Sequence, residues 1–192
     1  TLGDMPGWKR VLNAAFQAVT LRTAGFDTIG QGNLRDSSLA MSCILMLIGG
    51  SSGSTAGGLK TVTVGVLFLT LRAGLAGREE VTLRGRSISH RRVMNALTLT
   101  LIVAVIFLAG SMIISLVDDV PFLSAAFESA SAMATVGVTV GITPTLSLFS
   151  HVLLICMMFL GRVGIMSFSI AFLARSKYPA KIKYPTMDIM IG

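Results

Sequence analysis

Two short Thr-x-Gly units are the residues of this sequence best suited to chemistry: Thr23-Ala24-Gly25-Phe26 and Thr135-Val136-Gly137-Val138. Neither supplies a nucleophile or a general acid. What they offer is main-chain carbonyl oxygen, because glycine permits backbone geometries that other residues resist. Carbonyls turned toward an axis replace the hydration shell of a cation, as the TVGYG-type loops of potassium filters do. Thr135-Val136-Gly137 matches the first three residues of that pattern, and Thr23-Ala24-Gly25-Phe26 is a looser version. A lone unit carries little weight, since a glycine after a helix is also an ordinary cap.

Two further features point to the same kind of chemistry. The run Gly49-Gly50-Ser51-Ser52-Gly53-Ser54-Thr55-Ala56-Gly57-Gly58 lies between two apolar stretches. Such a run does not stay helical in lipid without leaving backbone groups unsatisfied, so it is expected to line a cavity. The alternative is a flexible linker between two surface helices. The run nearly spells a phosphate-binding loop, but Leu59 separates Gly58 from Lys60 and no strand precedes it, which excludes that motif. Arg162 stands inside a long apolar stretch, about 12 residues and roughly 18 Å of helix before its end, too far to reach the interface comfortably. An intramembrane charge is a functional hypothesis by default. Facing the cavity, it would bond the carbonyls of the Gly/Ser run and repel cations, or serve as a static brace. His90 reads as part of a solvated basic face, and His151 and Glu128 as packing or outer-vestibule residues. Cys43 and Cys156, in apolar stretches without CxxC spacing, read as small hydrophobes. No catalytic triad, metal cluster or paired-carboxylate site is present in the pattern, so no enzymatic activity is expected.

The elements that would hold these residues are membrane elements. The chain has 192 residues, 53% hydrophobic and 13% charged, with mean hydropathy +0.77. A soluble domain carries about 25% charge. The net charge of +7 is placed at the ends of apolar spans, which favours a membrane over a nucleic acid. Leu39 to Ile48 and Thr61 to Ala76 are each too short for a core of about 30 Å, and together read as one long helix broken in its middle. Val93 to Val117 reads as a plain span, and Leu146 to Ala174 as a span long enough to tilt. Lys60, Arg72, Arg78, Arg84, Arg86, Arg91 and Arg92 against Glu79 and Glu80, and Arg175, Lys177, Lys181 and Lys183 against Asp188, mark the cytoplasmic side. The loop 77–92 and the tail 175–192 therefore face in, and segments 1–36 and 118–145 face out.

An internal repeat ties the two Thr-x-Gly units together. Leu12-Asn13-Ala14-Ala15-Phe16-Gln17-Ala18 echoes Leu123-Ser124-Ala125-Ala126-Phe127-Glu128-Ser129, and each echo precedes one unit and then an inward-going helix. The preceding helices, about 12 residues each, are too short to span and are expected to dip in and return as re-entrant segments. Capping alone does not explain the repeated upstream helix.

Thr20-Leu21-Arg22-Thr23-Ala24-Gly25-Phe26-Asp27-Thr28, the run from Gly49 through Gly58 into Leu59-Lys60-Thr61, and Ala134-Thr135-Val136-Gly137-Val138-Thr139 together resemble the Trk/Ktr/HKT potassium transporter superfamily. The ending Lys183-Tyr184-Pro185 with Asp188-Ile189-Met190-Ile191-Gly192 looks most like the Ktr-type membrane subunit. The resemblance covers essentially the whole chain. It implies an all-α membrane fold of helix–pore loop–helix repeats with re-entrant pore helices and one broken transmembrane helix. Residues 1–76 are then the pore loop and broken second helix of a third repeat, and 93–174 a complete fourth repeat, with the first two expected in an N-terminal portion. It implies potassium translocation, with the filter backbone at Thr23, Ala24, Gly25, Phe26, Thr135, Val136, Gly137 and Val138. It likewise implies a gate at Gly49, Gly50, Ser51, Ser52, Gly53, Ser54, Thr55, Gly57 and Gly58 with Arg162. It also implies K+ as the transported ion, Na+ as a coupling or activating ion, and a multi-pass protein of the bacterial inner membrane. The implied partners are lipid, a second copy in a homodimer and a cytosolic ring of nucleotide-binding RCK-type regulatory subunits, with no nucleic acid. From the residues alone, an alternating-access solute transporter binding at the broken helix stays open.

Overall fold

The structure is a computed structural model that describes residues 6–164 apart from 52, 55, 79 and 84. The inner part of the last expected span, the tail 175–192, and Ser52 and Thr55 of the expected gate lie outside the described residues. Among the described residues the chain forms six α-helices: α1 Gly7–Thr20, α2 Asp36–Leu47, α3 Thr61–Leu75, α4 His90–Val117, α5 Phe122–Met133 and α6 Leu148–Phe159. Between α3 and α4 the chain makes a two-stranded antiparallel ribbon, β1 Thr82–Leu83 and β2 Arg86–Ser87, with Thr82 opposite Ser87. The sequence pattern gave no sign of this ribbon.

Helix boundaries follow local chemistry. α1 and α5 both start directly after a proline, Pro6 and Pro121, whose missing N–H is no loss at a helix start. α6 is capped by Ser147, whose Oγ accepts the Ser150 amide at 3.3 Å. The Ser147 amide in turn donates to Asp118 Oδ1 at 2.8 Å, joining the start of α6 to the end of α4.

Helix α5 is the centre of the molecule. Every residue from Ala125 to Met133 is buried, and α2, α4 and α6 pack around it. Its alanine- and serine-rich sequence explains how three helices approach so closely. Ala125, Ala132 and Met133 meet Leu99, Val103, Ile114, Leu154 and Met157 on one side. Phe127, Ala130 and Ala134 meet Leu39, Cys43 and Met46 of α2 on the other.

α4 is long and apolar enough to cross a membrane, with 28 residues and an 18-residue stretch of mean hydropathy 2.6. Leu97, Leu101, Val105, Leu108, Met112 and Leu116 form an exposed stripe along it, the kind of contiguous apolar surface that marks a membrane or protein contact. α2, α3 and Leu148–Val163 are shorter apolar helices.

The internal repeat is built into the fold. The 3-10 turns Gln31–Asn33 and Thr143–Thr145 stand 112 positions apart, as do the starts (Asp36, Leu148) and the ends (Leu47, Phe159) of α2 and α6. Beyond those ends the copies diverge. At Ile48 the chain leaves the helix for an irregular segment, whereas at Leu160–Gly164 it widens into a single π-type turn.

Candidate functional site

The two Thr-x-Gly units follow α1 and α5 as irregular strands of the same design. The main-chain oxygen of Thr20 accepts from Ala24 and Gly25, at 3.1 and 3.3 Å, and that of Ser131 accepts from Val136 at 2.9 Å. The hydroxyl of Thr20 accepts from the Phe26 amide at 2.9 Å, and that of Ser131 from the Gly137 amide at 3.2 Å. Both strands take positive φ at alternate residues: Thr23 (69°) and Gly25 (76°), then Thr135 (55°) and Gly137 (90°). In ordinary extended chain, successive carbonyls point to opposite sides. Alternating the sign of φ brings them toward one side, the geometry a row of cation ligands needs. For a β-branched threonine this conformation is strained, and strain of this kind gathers at functional sites. The strands also touch, since a Cβ built on Gly25 would lie 2.4 Å from the Val136 oxygen. Val136 and Val138 are buried, Gly137 and Ala24 exposed, Thr23, Gly25 and Thr135 half-buried, and Phe26 is 69% exposed.

Outside each strand the returning loop is fastened to its preceding helix. Glu128 of α5, 5% exposed, accepts the Thr139 hydroxyl, the Val140 amide at 3.1 Å and the Thr143 hydroxyl at 2.9 Å. In the first copy the carboxylate is Asp27. It accepts the amides of Ile29 and Gly30 at 3.1 Å, the Gln31 side chain at 3.0 Å and the Gln17 side chain at 3.1 Å. Burial pushes the Asp27 carboxyl up, but these hydrogen bonds outweigh it and hold the group below its usual value of 3.8. Buried Gln17 and Gln31 close the triangle, with Gln31 Nε2 donating to Gln17 Oε1 at 2.9 Å.

The Gly/Ser-rich segment folds against the second strand. The chain leaves α2 and returns beside it, with a parallel bridge between Ile48 and Leu59. The Leu59 amide donates to the Leu47 oxygen at 2.9 Å, and the Thr61 amide to the Gly50 oxygen at 3.1 Å. Between these ties the Gly57 amide donates to the Thr135 hydroxyl at 3.0 Å. Gly57 is buried so closely that a Cβ there would lie 2.8 Å from the Ala134 carbonyl carbon and oxygen and from Thr135 Oγ1. Gly49 and Gly58 are buried too, Gly50 and Ser54 half-buried, and Ser51 and Gly53 exposed. The carbonyls of this loop are held by Lys60, whose Nζ donates to the Ser54 oxygen at 2.8 Å and the Ala56 oxygen at 2.9 Å.

Arg162 lies in the π-type turn and is exposed in this chain. Among the described residues no hydrogen bond joins its guanidinium to the loop. Its neighbour Gly161 packs against the end of α5, where a Cβ would stand 1.9 Å from the Met133 oxygen. The structure therefore brings together the two Thr-x-Gly strands and the glycine-rich loop, while Arg162 stands at the next turn of α6.

Comparison with known proteins fits this arrangement. Residues 1–181 match the family model TrkH, described as a cation transport protein. The chain belongs to the TrkH family. It is 39% identical to the potassium/sodium uptake protein NtpJ of Enterococcus hirae over 189 residues, 96% of this chain and 42% of that protein. It is 34% identical to the Ktr system potassium uptake protein B of Bacillus subtilis over its full length and 43% of the relative's. The chain thus spans less than half of these relatives, which are named as uptake proteins and not as enzymes. Its fold matches the crystal structure of the potassium transporter TrkH from Vibrio parahaemolyticus with a TM-score of 0.69 and 25% identity, over 88% of this chain and 38% of that one.

As a TrkH-family chain it carries three features that sequence reasoning passed over. In sequence Lys60 is one of the basic residues expected to mark the cytoplasmic side, and only the structure reveals a side chain folded back on the loop. Gln17 and Asp27 stand inside the repeated helix and the Thr-x-Gly segment without being singled out as site residues, and Gln31 lies beyond both. Gly161 corresponds to Gly49 at the same 112-residue spacing, and both abut a carbonyl oxygen, a signal available from the repeat. Among the described residues no group of His, Cys, Asp and Glu is placed to hold a metal ion.

Proposed function

We propose that this chain supplies two of the backbone strands of a potassium-selective filter and the gate beneath it. The observation that carries the reading is the paired backbone of Thr23–Gly25 and Thr135–Gly137, in contact and alternating in φ. In this reading α1 and α5 are re-entrant pore helices, and α2 and α3 are the halves of one broken transmembrane helix. The loop between them is the gate, because Gly57 is bonded to the hydroxyl of the first filter residue of the second strand. Lys60 holds that loop in place, and Arg162 adds a positive charge at the neighbouring turn. K+ is the transported ion, with Na+ as a coupling or activating ion; the names of the Enterococcus and Bacillus relatives support both ions and K+ respectively. The word "system" in the latter supports an assembly. Its implied form is a homodimer of a multi-pass bacterial inner-membrane protein on a cytosolic ring of nucleotide-binding regulatory subunits.

The test is ion flux in vesicles holding the full-length protein that contains this chain. K+ flux exceeding Na+ flux, with the ratio reduced by Gly137→Ser, is the expected result. At φ 90° a side chain is strained even though the space around Gly137 is open, so the change acts on backbone shape. Slow, saturable uptake of a non-ionic solute, or a ratio indifferent to Gly137→Ser, would refute the filter.

A further inference from the structure

The two copies fasten their outer loops with the same three positions but place the acid differently. Gln17 and Glu128 occupy one helix position, one residue after the repeated Phe16 and Phe127. Asp27 and Thr139 occupy one loop position, and Gln31 and Thr143 another, each pair 112 residues apart. In the first copy the loop residue is the carboxylate and the helix residue the amide: Gln17 Nε2 donates to Asp27 Oδ1 at 3.1 Å, and Gln31 closes the triangle. In the second, the helix residue is the carboxylate, and the hydroxyls of Thr139 and Thr143 donate to its two oxygens. Each triangle thus holds one acid and two neutral partners, on opposite sides of the same helix–loop contact.

The position of the triangles gives them leverage. Glu128 also accepts the Val140 amide, two residues after Val138, and Asp27 directly follows Phe26 and accepts the Ile29 and Gly30 amides. Both carboxylates therefore pin backbone at the outer end of a strand whose carbonyl directions depend on strained φ values. An amide in place of the acid keeps one acceptor oxygen and puts an N–H donor where the other stood, so a hydroxyl there must reverse to accept and a backbone amide there is left facing another donor.

We infer that Glu128 and Asp27 are equivalent positioning residues, one per strand, which hold the filter backbone in its discriminating shape, and that the acid is exchangeable between the helix and loop positions of the triangle. The inference rests on the filter reading above. It requires one carboxylate within each triangle and does not require it at a particular residue.

The experiment is a charge exchange in the full-length protein, scored by the ratio of K+ to Na+ initial flux and by membrane abundance. Glu128→Gln alone leaves the second triangle without an acid, and Thr139→Asp alone forces two carboxylates together. Each is expected to lower the flux ratio or the abundance by about tenfold, the scale of one lost charged hydrogen bond. The double variant Glu128→Gln/Thr139→Asp reproduces the first copy's arrangement and is expected to regain whichever quantity was lost, to within about threefold of the parent. Glu128→Gln/Thr145→Asp restores net charge at exposed Thr145, outside the triangle, and is expected to regain nothing. The mirror exchange, Gln17→Glu/Asp27→Thr, should behave like the first. Double exchanges no better than their worse single variant, or equal recovery with Asp at 145, would overturn the inference. A flux ratio untouched by Gly137→Ser would instead remove the filter reading beneath it, so the two failures are distinct.

Discussion

Replacing Lys60 by methionine tests the proposed gate at the side chain that holds two of its carbonyls. Methionine keeps the apolar stem and removes the ammonium. That group makes two charge-assisted hydrogen bonds to the loop, at 2.8 and 2.9 Å, each worth about 1.5–3 kcal/mol net when well sheltered. Lys60 is half-buried, so water replaces part of that interaction. Fixing its side chain also costs about 1.5–2 kcal/mol, which the variant no longer spends. The net loss to the packed loop is about 1–3 kcal/mol, a shift of about 5- to 150-fold in its equilibrium with displaced forms. The Gly57–Thr135 bond remains, a neutral contact worth about 0.5–1.5 kcal/mol, and holds the response toward the lower end. The assay is initial Rb+ uptake by cells lacking other K+ uptake, expressing the full-length protein and normalised to membrane abundance. Flux raised several-fold is the prediction. Unchanged or lower flux in protein of parental abundance and Tm would refute the reasoning, and would mean that the lysine braces the loop without restraining ions.

Three other outcomes follow from named contacts. Arg162→Ala in the same assay is expected to raise flux less than Lys60→Met, since among the described residues no hydrogen bond joins Arg162 to the loop; a larger rise would place the main restraint on the turn that follows α6. Gly161→Ala drives a Cβ to 1.9 Å from the Met133 backbone oxygen and is expected to cost about 3 kcal/mol or more, at or beyond the upper end of overpacking penalties, visible as a lower Tm. Gly110→Ala, whose Cβ would crowd the flexible end of Met157 and meet Ser129 Oγ at an ordinary 3.8 Å, should cost less. The Asp27 carboxyl titrates below 3.8 in the folded chain. Its contribution is therefore complete above the ordinary carboxylate value and is lost as pH falls through the lower folded one. Amide exchange protection at Ile29, Gly30 and Gln31, whose amides donate to the Asp27 carboxylate at 3.1, 3.1 and 3.3 Å, should hold steady between pH 7 and 5, after correction for intrinsic exchange rates, and a loss within that window would contradict the hydrogen-bonded geometry.

What the sequence displayed and what it hid have different physical origins. The long apolar run ending at Val117 and the repeated Leu-x-Ala-Ala-Phe segments announced α4, α1 and α5, because each signal is local. The two limbs flanking Gly49–Gly58 also appeared where their apolar runs lie, with α2 starting at Asp36, three residues before Leu39. The π-type turn was hidden, because Leu146 to Ala174 reads as unbroken apolar helix; the close approach of Gly161 to the end of α5 is a tertiary contact. Lys60 was hidden because a basic residue beside an apolar span counts toward orientation whichever way its side chain folds. The clamps escaped for a different reason. Aligning the copies residue by residue sets Glu128 against Gln17 and Thr139 against Asp27, so the acid moves between positions and likeness at either one looks weak.

The bridge between Ile48 and Leu59 has a consequence for how the segment between them can vary. Its ends are clasped by the Leu59–Leu47 and Thr61–Gly50 backbone bonds, so α2 and α3 stay where they are whatever the intervening chain does. Closing such a loop depends on its length only logarithmically, about 0.6 kcal/mol for each doubling. Length is therefore a cheap variable around the exposed residues Ser51 and Gly53, and an expensive one at the clasp, where one inserted residue would break the register of both bonds.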